Sequence, residues 1–322
     1  MQGLRLLLLL LLSLALDSCR CSRAVSSADD SSAPSTTLTP TASTELPVRL
    51  NARELVWDYP NTDVGPMRVV VVVPERHDPD QRFPVLVAMH GHGESLKGPE
   101  RGARGWVDDY WMPRALKRLE EPPLTRRDFL GMISSDRLQT VNAALEREPY
   151  RGLVVVCPYT PDRLAGDLPF ERAEPLANFL VDDLLPRVRR ETPALQEPEA
   201  TGIDGVSLGG RASLLAGLLR PDEFGVIAAL QPAFDAREAS GLAERAQQAI
   251  RRNPQLRFRL VTSSRDYYLA STREIAREFR AAGVEPNLLV VEGNHSYDFN
   301  RGPGVYEMLI FHDRSLRGKD WP

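Results

Sequence analysis

The sequence predicts an α/β architecture, a mostly parallel central sheet flanked by helices. Two observations predict it. Apolar runs bounded by turn residues recur from about residue 53 onward, and most are unbroken Val/Leu/Ile stretches. Strands buried on both faces require that pattern, because neither face turns to water. Segments with apolar residues at helical spacing lie between the later runs, and strand–helix alternation builds parallel sheets with right-handed crossovers. The chain has 322 residues, room for one large α/β domain or two small ones.

The expected strands are 53–59, Arg68 to Val73, Val85 to Met89, Leu153 to Cys157, Thr201 to Val206, Val226 to Leu230, Phe258 to Thr262 and Leu288 to Val291. No helix separates the first two, so they are expected as an antiparallel hairpin at one edge. Residues 174–190 carry Leu176, Phe179, Leu180, Leu184, Leu185 and Val188 at helical spacing. Residues 211–220, 240–252, 271–282 and 303–316 read similarly, and Gly283 is a helix stop. Residues 94–150 form an insertion longer than an ordinary connection. It holds Trp106, Tyr110 and Trp111, then a helix-like stretch from Arg127 to Arg147. It is expected either as a lid or substrate wall, its aromatics stacking on a ring, or as packing helices.

Composition excludes several classes. Hydrophobic content is 42%, charged content 26% and formal net charge −4, so nucleic acid has no electrostatic attraction to this chain. The pairs Arg126-Arg127, Arg189-Arg190 and Arg251-Arg252 read as solvated helix faces. Arg5 followed by the apolar run Leu6 to Leu16 marks residues 1–18 as a secretory signal, too short to cross a bilayer comfortably. Leu16-Asp17-Ser18-Cys19 resembles a bacterial lipobox, with Asp17 departing from it. Cys19 is thus the expected lipid anchor in a membrane, with plain secretion or an uncleaved anchor as alternatives. Residues 19–46, rich in Ser, Thr, Ala and Pro, are expected as a flexible tether before a folded domain at 47–322. The expected location is the cell envelope, periplasmic or surface, or the medium. The other cysteines are Cys21 and Cys157, too few for a disulfide framework or a thiolate zinc site. Cys157 is expected in a buried strand.

The chemistry is carried by Gly205-Val206-Ser207-Leu208-Gly209. A short apolar strand precedes it and an apolar helix follows, the setting of a sharp turn that exposes a nucleophile. A serine hydroxyl needs a base within hydrogen-bond reach and a carboxylate to orient that base. Only His295 and His312 follow Ser207. His295 stands just past a strand and is the expected base, whereas His312 is expected on a helix face. Asp266, past the preceding strand, is the expected acid, and Asp235 is its rival. Asp298 lies too near His295 in sequence to orient it. The oxyanion donors are expected from the backbone N–H of Leu208 and of His92 (or Gly93), in His90-Gly91-His92-Gly93 after the strand Val85 to Met89. His90 and His92 with Glu94 also offer a weaker reading as metal ligands.

Together His90-Gly91-His92-Gly93, Gly205-Val206-Ser207-Leu208-Gly209, Ser263-Ser264-Arg265-Asp266 and Gly293-Asn294-His295-Ser296-Tyr297 resemble the esterase D-like branch of the α/β-hydrolase superfamily. That branch includes feruloyl, acetylxylan and siderophore esterases and mycolyltransferases. The resemblance covers roughly residues 65–316 and implies an α/β-hydrolase fold with a Ser207–His295–Asp266 triad. It implies a small-molecule or polysaccharide ester as substrate and no metal or organic cofactor. Glu94 stands where the family commonly has another glycine, and the insertion 94–150 is not part of the basic pattern. The expected function is an exported serine hydrolase acting on a carboxylic ester through an acyl-enzyme. An acyltransferase using the same acyl-enzyme, or a non-catalytic surface lipoprotein on a hydrolase scaffold, are the alternatives.

Overall fold

The computed structural model describes residues 52–75, 79–164 and 169–321. The signal segment 1–18, Cys19, Cys21 and the tether 19–46 lie outside the described residues. The strands are β1 (Ala52–Tyr59), β2 (Met67–Pro74), β3 (Val85–Met89), β4 (Val154–Pro158), β5 (Thr201–Gly205), β6 (Val226–Leu230), β7 (Arg257–Arg265) and β8 (Asn287–Asn294). They form one sheet in the order β1-β2-β4-β3-β5-β6-β7-β8. β1 and β2 pair antiparallel at the edge, β2 runs antiparallel to β4, and every pairing from β4 to β8 is parallel. This is the α/β-hydrolase architecture.

The two faces explain the unbroken apolar runs. Val69, Val71 and Val73 of β2 point into a core shared with the helices Leu208–Leu219, Ala239–Arg252 and Leu269–Ala281. Val70 and Val72 point the other way, into a core closed by the helices Met112–Glu120, Ser135–Arg147 and Val305–Ser315. Alternate residues of a strand face opposite sides, so a strand covered on both must be apolar throughout. Cys157 is buried in β4, and desolvation pushes its thiol up.

β7 and β8 each run three residues beyond their expected ends, through a register irregularity between Ser263 and Arg265. The helix expected over 127–147 begins only at Ser135, with the Ser134 hydroxyl accepting the Arg137 N–H at 3.2 Å. Before it, Asp128 accepts the Thr125 N–H and hydroxyl at 2.6 and 2.9 Å. Leu130 and Gly131 then take positive φ, which ends any helix there. The insertion 94–150 is largely packing. Trp106 and Tyr110 are fully buried in the core, so neither offers a ring face to substrate. Trp111 instead lies under the Arg301 and Arg114 guanidiniums, at 4.6 and 5.4 Å.

One buried charge cluster ties the second helical layer to the sheet. Glu307 accepts from Arg137 at 2.9 and 2.7 Å, from Arg259 of β7 at 2.7 Å, and from the Trp321 indole at 3.2 Å. Burial alone pushes the Glu307 carboxyl up, but the two guanidiniums outweigh it and hold it below its ordinary value. Glu307→Ala strands two cations in the core and is expected to cost about 3–5 kcal/mol in urea denaturation. Since the folded pKa is the lower one, the stabilisation from this ionisation is present above the ordinary carboxylate pKa. It should be lost as pH falls through the folded value.

Candidate active site

Ser207 stands two residues past the end of β5 and has φ 57°, ψ −115°, a conformation L-residues rarely adopt. The surroundings hold it there. The Val206 N–H donates to the Met89 carbonyl at 3.2 Å, the Ser207 N–H to Leu230 at 2.9 Å, and the Ala233 N–H to Ser207 at 3.1 Å. The turn fits because its flanking residues lack side chains. A Cβ on Gly205 would stand 2.5 Å from the Gly209 carbonyl oxygen, and one on Gly209 would stand 2.6 Å from that of His90. Leu208 opens the helix Leu208–Leu219, so its N–H has no carbonyl four residues back to bond. It points with the helix dipole towards the space around Ser207.

Position in the sheet adds to this. β4 follows β3 in sequence but lies on its other side from β5. The strand order therefore reverses between β3 and β5, and the crevice outside the carboxyl ends of such strands is where open α/β sheets bind ligands. Met89 pairs with Gly205 in register, which sets the turn after β3 beside Ser207.

His295 is the residue after β8, and its Nδ1 lies 3.0 Å from Oδ1 of Asp266, the residue after β7. Asp266 also accepts the Tyr268 N–H on Oδ1 at 2.9 Å and the Thr262 hydroxyl on Oδ2 at 2.7 Å. These contacts fix the carboxylate, and it in turn fixes the imidazole. The Tyr267 ring covers His295 at 4.2 Å between centroids. The rival Asp235 is elsewhere. It caps the short turn Ala236–Glu238 in a reciprocal capping box and pairs with Arg237 on the surface. Asp298 is the middle residue of the short turn Tyr297–Phe299 and is exposed. His312 is in the core rather than on an outer helix face. Its Nε2 lies 3.1 Å from Asp204 Oδ2, in a space that Gly202 leaves open.

His92 and Gly93 open the short helix His92–Ser95, so their N–H groups are likewise free of intrahelical partners. His90 and His92 do not converge. His90 is buried, and desolvation pushes its pKa down to about 4. Its Nε2 accepts the Thr160 N–H at 2.9 Å, so Nδ1 carries the proton and donates to the Gly91 carbonyl at 2.9 Å. The His92 imidazole turns outward, with Nε2 3.1 Å from Asp162 Oδ1. Glu94 is buried and bonded to Tyr110 and Tyr297. Among the described residues no three His, Cys, Asp or Glu side chains cluster as metal ligands.

Sequence reading missed Gln231. It sits at φ 45° just after β6, fully buried. Its amide donates to Ser263 Oγ at 2.7 Å and to the Asn294 carbonyl at 3.0 Å, tying the end of β6 to the loops carrying Asp266 and His295. The available signal was a polar residue between a wholly apolar strand and Pro232.

A mostly parallel sheet with a strained serine turn at its switch point, and an Asp and a His two and three strands away, is the arrangement of the α/β-hydrolase fold. Residues 167–300, which include Ser207, Asp266 and His295, match the family model described as Putative esterase. The matched stretch, less than half of the chain, is thus similar to esterases. Solved structures share the fold. The S-formylglutathione hydrolase of Staphylococcus aureus superposes with TM-score 0.58 at 11% identity, covering 82% of this chain and 99% of its own. The feruloyl esterase module of Clostridium thermocellum, solved with sinapinate, gives TM-score 0.53 at 16% identity over 82% of this chain and 86% of its own. The enterobactin esterase of Shigella flexneri gives 0.51 at 18% identity over 83% and 59%. No curated protein matches the chain in sequence.

Two substitutions separate the carboxylates. Asp266→Asn should leave the fold intact and lower kcat on an ester by about 10³–10⁴, because an amide orients the wrong imidazole tautomer. Asp235→Ala should leave kcat unchanged and cost about 1 kcal/mol of stability through the lost cap.

Proposed function

We propose that this protein is an exported serine esterase that works through an acyl-enzyme with Ser207 as nucleophile, His295 as base and Asp266 as orienting acid. The observation that carries the proposal is the His295 Nδ1–Asp266 Oδ1 contact of 3.0 Å, at the same end of the sheet as the strained Ser207 turn. With Nδ1–H donated to Asp266, the His295 Nε2 lone pair is free to take a proton.

In the first half-reaction His295 accepts the Ser207 proton as Oγ attacks the ester carbonyl. The oxyanion accepts from the N–H groups of Leu208 and His92 or Gly93, each donor contributing about 2.7–4 kcal/mol to the transition state. His295 then protonates the leaving alcohol. In the second half, His295 removes a proton from water, which attacks the acyl carbon and releases the acid and Ser207. Asp266 stabilises the imidazolium in both halves and stays ionised. Near His295, Tyr267 is 69% exposed, which suits an apolar part of the substrate.

Export rests on residues 1–18, and membrane attachment on Cys19. Incorporation of labelled fatty acid that disappears in Cys19→Ser is the expected result for a lipid anchor.

The decisive test of catalysis is intact mass after exposure to a fluorophosphonate, beside Ser207→Ala. One adduct in the natural protein and none in the variant is the expected outcome. No adduct on the folded natural protein would sink the triad assignment.

A further inference from the structure

Glu94 follows the His92 and Gly93 amides in the turn after β3, and its surroundings are built around it. The side chain is 1% exposed. The Tyr110 hydroxyl donates to Oε2, and the Tyr297 hydroxyl donates to Oε1 at 2.5 Å. The Lys97 ammonium lies 3.5 Å from Oε1. The Tyr110 oxygen also accepts the Gly91 N–H at 3.1 Å. A chain of hydrogen bonds thus runs from the Gly91 amide through Tyr110 and Glu94 to Tyr297, two residues past His295.

Glycines make the room. A Cβ on Gly105 would stand 2.7 Å from Glu94 Cγ, one on Gly102 would stand 2.5 Å from the Glu94 carbonyl oxygen, and one on Gly93 would stand 2.8 Å from the Tyr297 hydroxyl. Tyr110 is itself fixed, fully buried with the Trp106 ring edge-on at 4.9 Å. Both Glu94 oxygens are occupied, so the carboxylate has no path to substrate. Its mechanical effect falls on the peptides either side of it. The His92 and Gly93 N–H groups belong to the two peptides just before these.

We propose that Glu94 is a positioning residue for oxyanion stabilisation, locking the His92 and Gly93 amides to the His295 loop through Tyr110 and Tyr297. The inference rests on the catalytic reading above and deepens it. The network joins the two parts of the site that reach it from opposite directions, the oxyanion turn after β3 and the base loop after β8. Loosening it should displace donors from the developing charge without altering the ground-state pocket. A displacement near 1 Å can cost about 10²-fold in rate.

The test measures kcat and KM on p-nitrophenyl acetate for the natural protein, Ser207→Ala, Tyr297→Phe, Glu94→Gln and the double variant Tyr297→Phe/Glu94→Gln. Tyr297 is partly exposed, so removing its oxygen leaves the fold intact, which circular dichroism and the melting temperature check. Tyr297→Phe is expected to lower kcat about 10- to 100-fold while KM moves by less than about threefold. The double variant should fall no further than the worse single one, because both changes break one contact. An unchanged kcat, a rise in KM alone, or losses that multiply would each overturn the proposal. The last two would mean that Tyr297 touches substrate or that Glu94 acts independently. Ser207-dependent turnover in the natural protein with full kcat in Tyr297→Phe removes this inference and leaves the esterase reading standing. Absence of Ser207-dependent turnover removes both.

Discussion

The close passage of the Ser207 turn against the end of β3 is the contact on which the site depends. Gly209 lies against the carbonyls of Met89 and His90, and Val206 donates its N–H to Met89. No side chain fits between these backbones. Because they touch, the Ser207 turn and the turn that carries His92 and Gly93 lie side by side. A positive φ at a non-glycine residue costs on the order of 1–3 kcal/mol. Here it is held by backbone hydrogen bonds from Ser207 to the Leu230 and Ala233 positions. The strain is local, and the sheet on either side over-determines it.

The base side is assembled by different means. Asp266 and His295 come from the ends of β7 and β8, and their relative placement depends on how far those strands extend. The irregularity between Ser263 and Arg265 shifts the register so that Arg265 pairs with Asn294. Gln231 then bonds both the Ser263 hydroxyl and the Asn294 carbonyl from below. The carboxylate is fixed by Thr262 and the Tyr268 amide before it meets the imidazole. Orientation is thus set by a shell of neutral donors around a single buried acid, which in turn holds the His295 ring.

Buried carboxylates serve this protein in three distinct ways. Asp266 holds the His295 imidazole. Glu307 joins helix Val305–Ser315 to helix Ser135–Arg147 and to β7 through Arg137 and Arg259. Glu94 joins the turn after β3 to the loop after β8 through the Tyr297 hydroxyl, with the Tyr110 hydroxyl on its other oxygen. A buried charge is costly unless its lone pairs are filled. Glu307 is matched by cations, and Glu94 by phenol donors with Lys97 at its edge. The insertion that supplies Tyr110 therefore belongs to the architecture of the site, although it packs mainly as core.

Much of this was legible in the residues themselves. The eight strands, the edge hairpin and the later helices follow from local periodicity, which a parallel sheet covered on both faces imposes directly. Ser207, Asp266 and His295 were singled out because glycine spacing and strand ends are local features of a chain. The start of helix Ser135–Arg147 was misread because the Thr125–Asp128 turn competes with helix through side-chain hydrogen bonds that periodicity does not register. Other features were decided only by the tertiary structure. The contact of Asp266 with His295, the burial of His312 against Asp204, the tautomer of His90, the contacts of Gln231 and the pairing of Glu94 with Tyr110 and Tyr297 all depend on distant residues meeting. Periodicity records which face a residue turns inward, whereas hydrogen-bond partners depend on strand order and register, and these exist only once the sheet has closed.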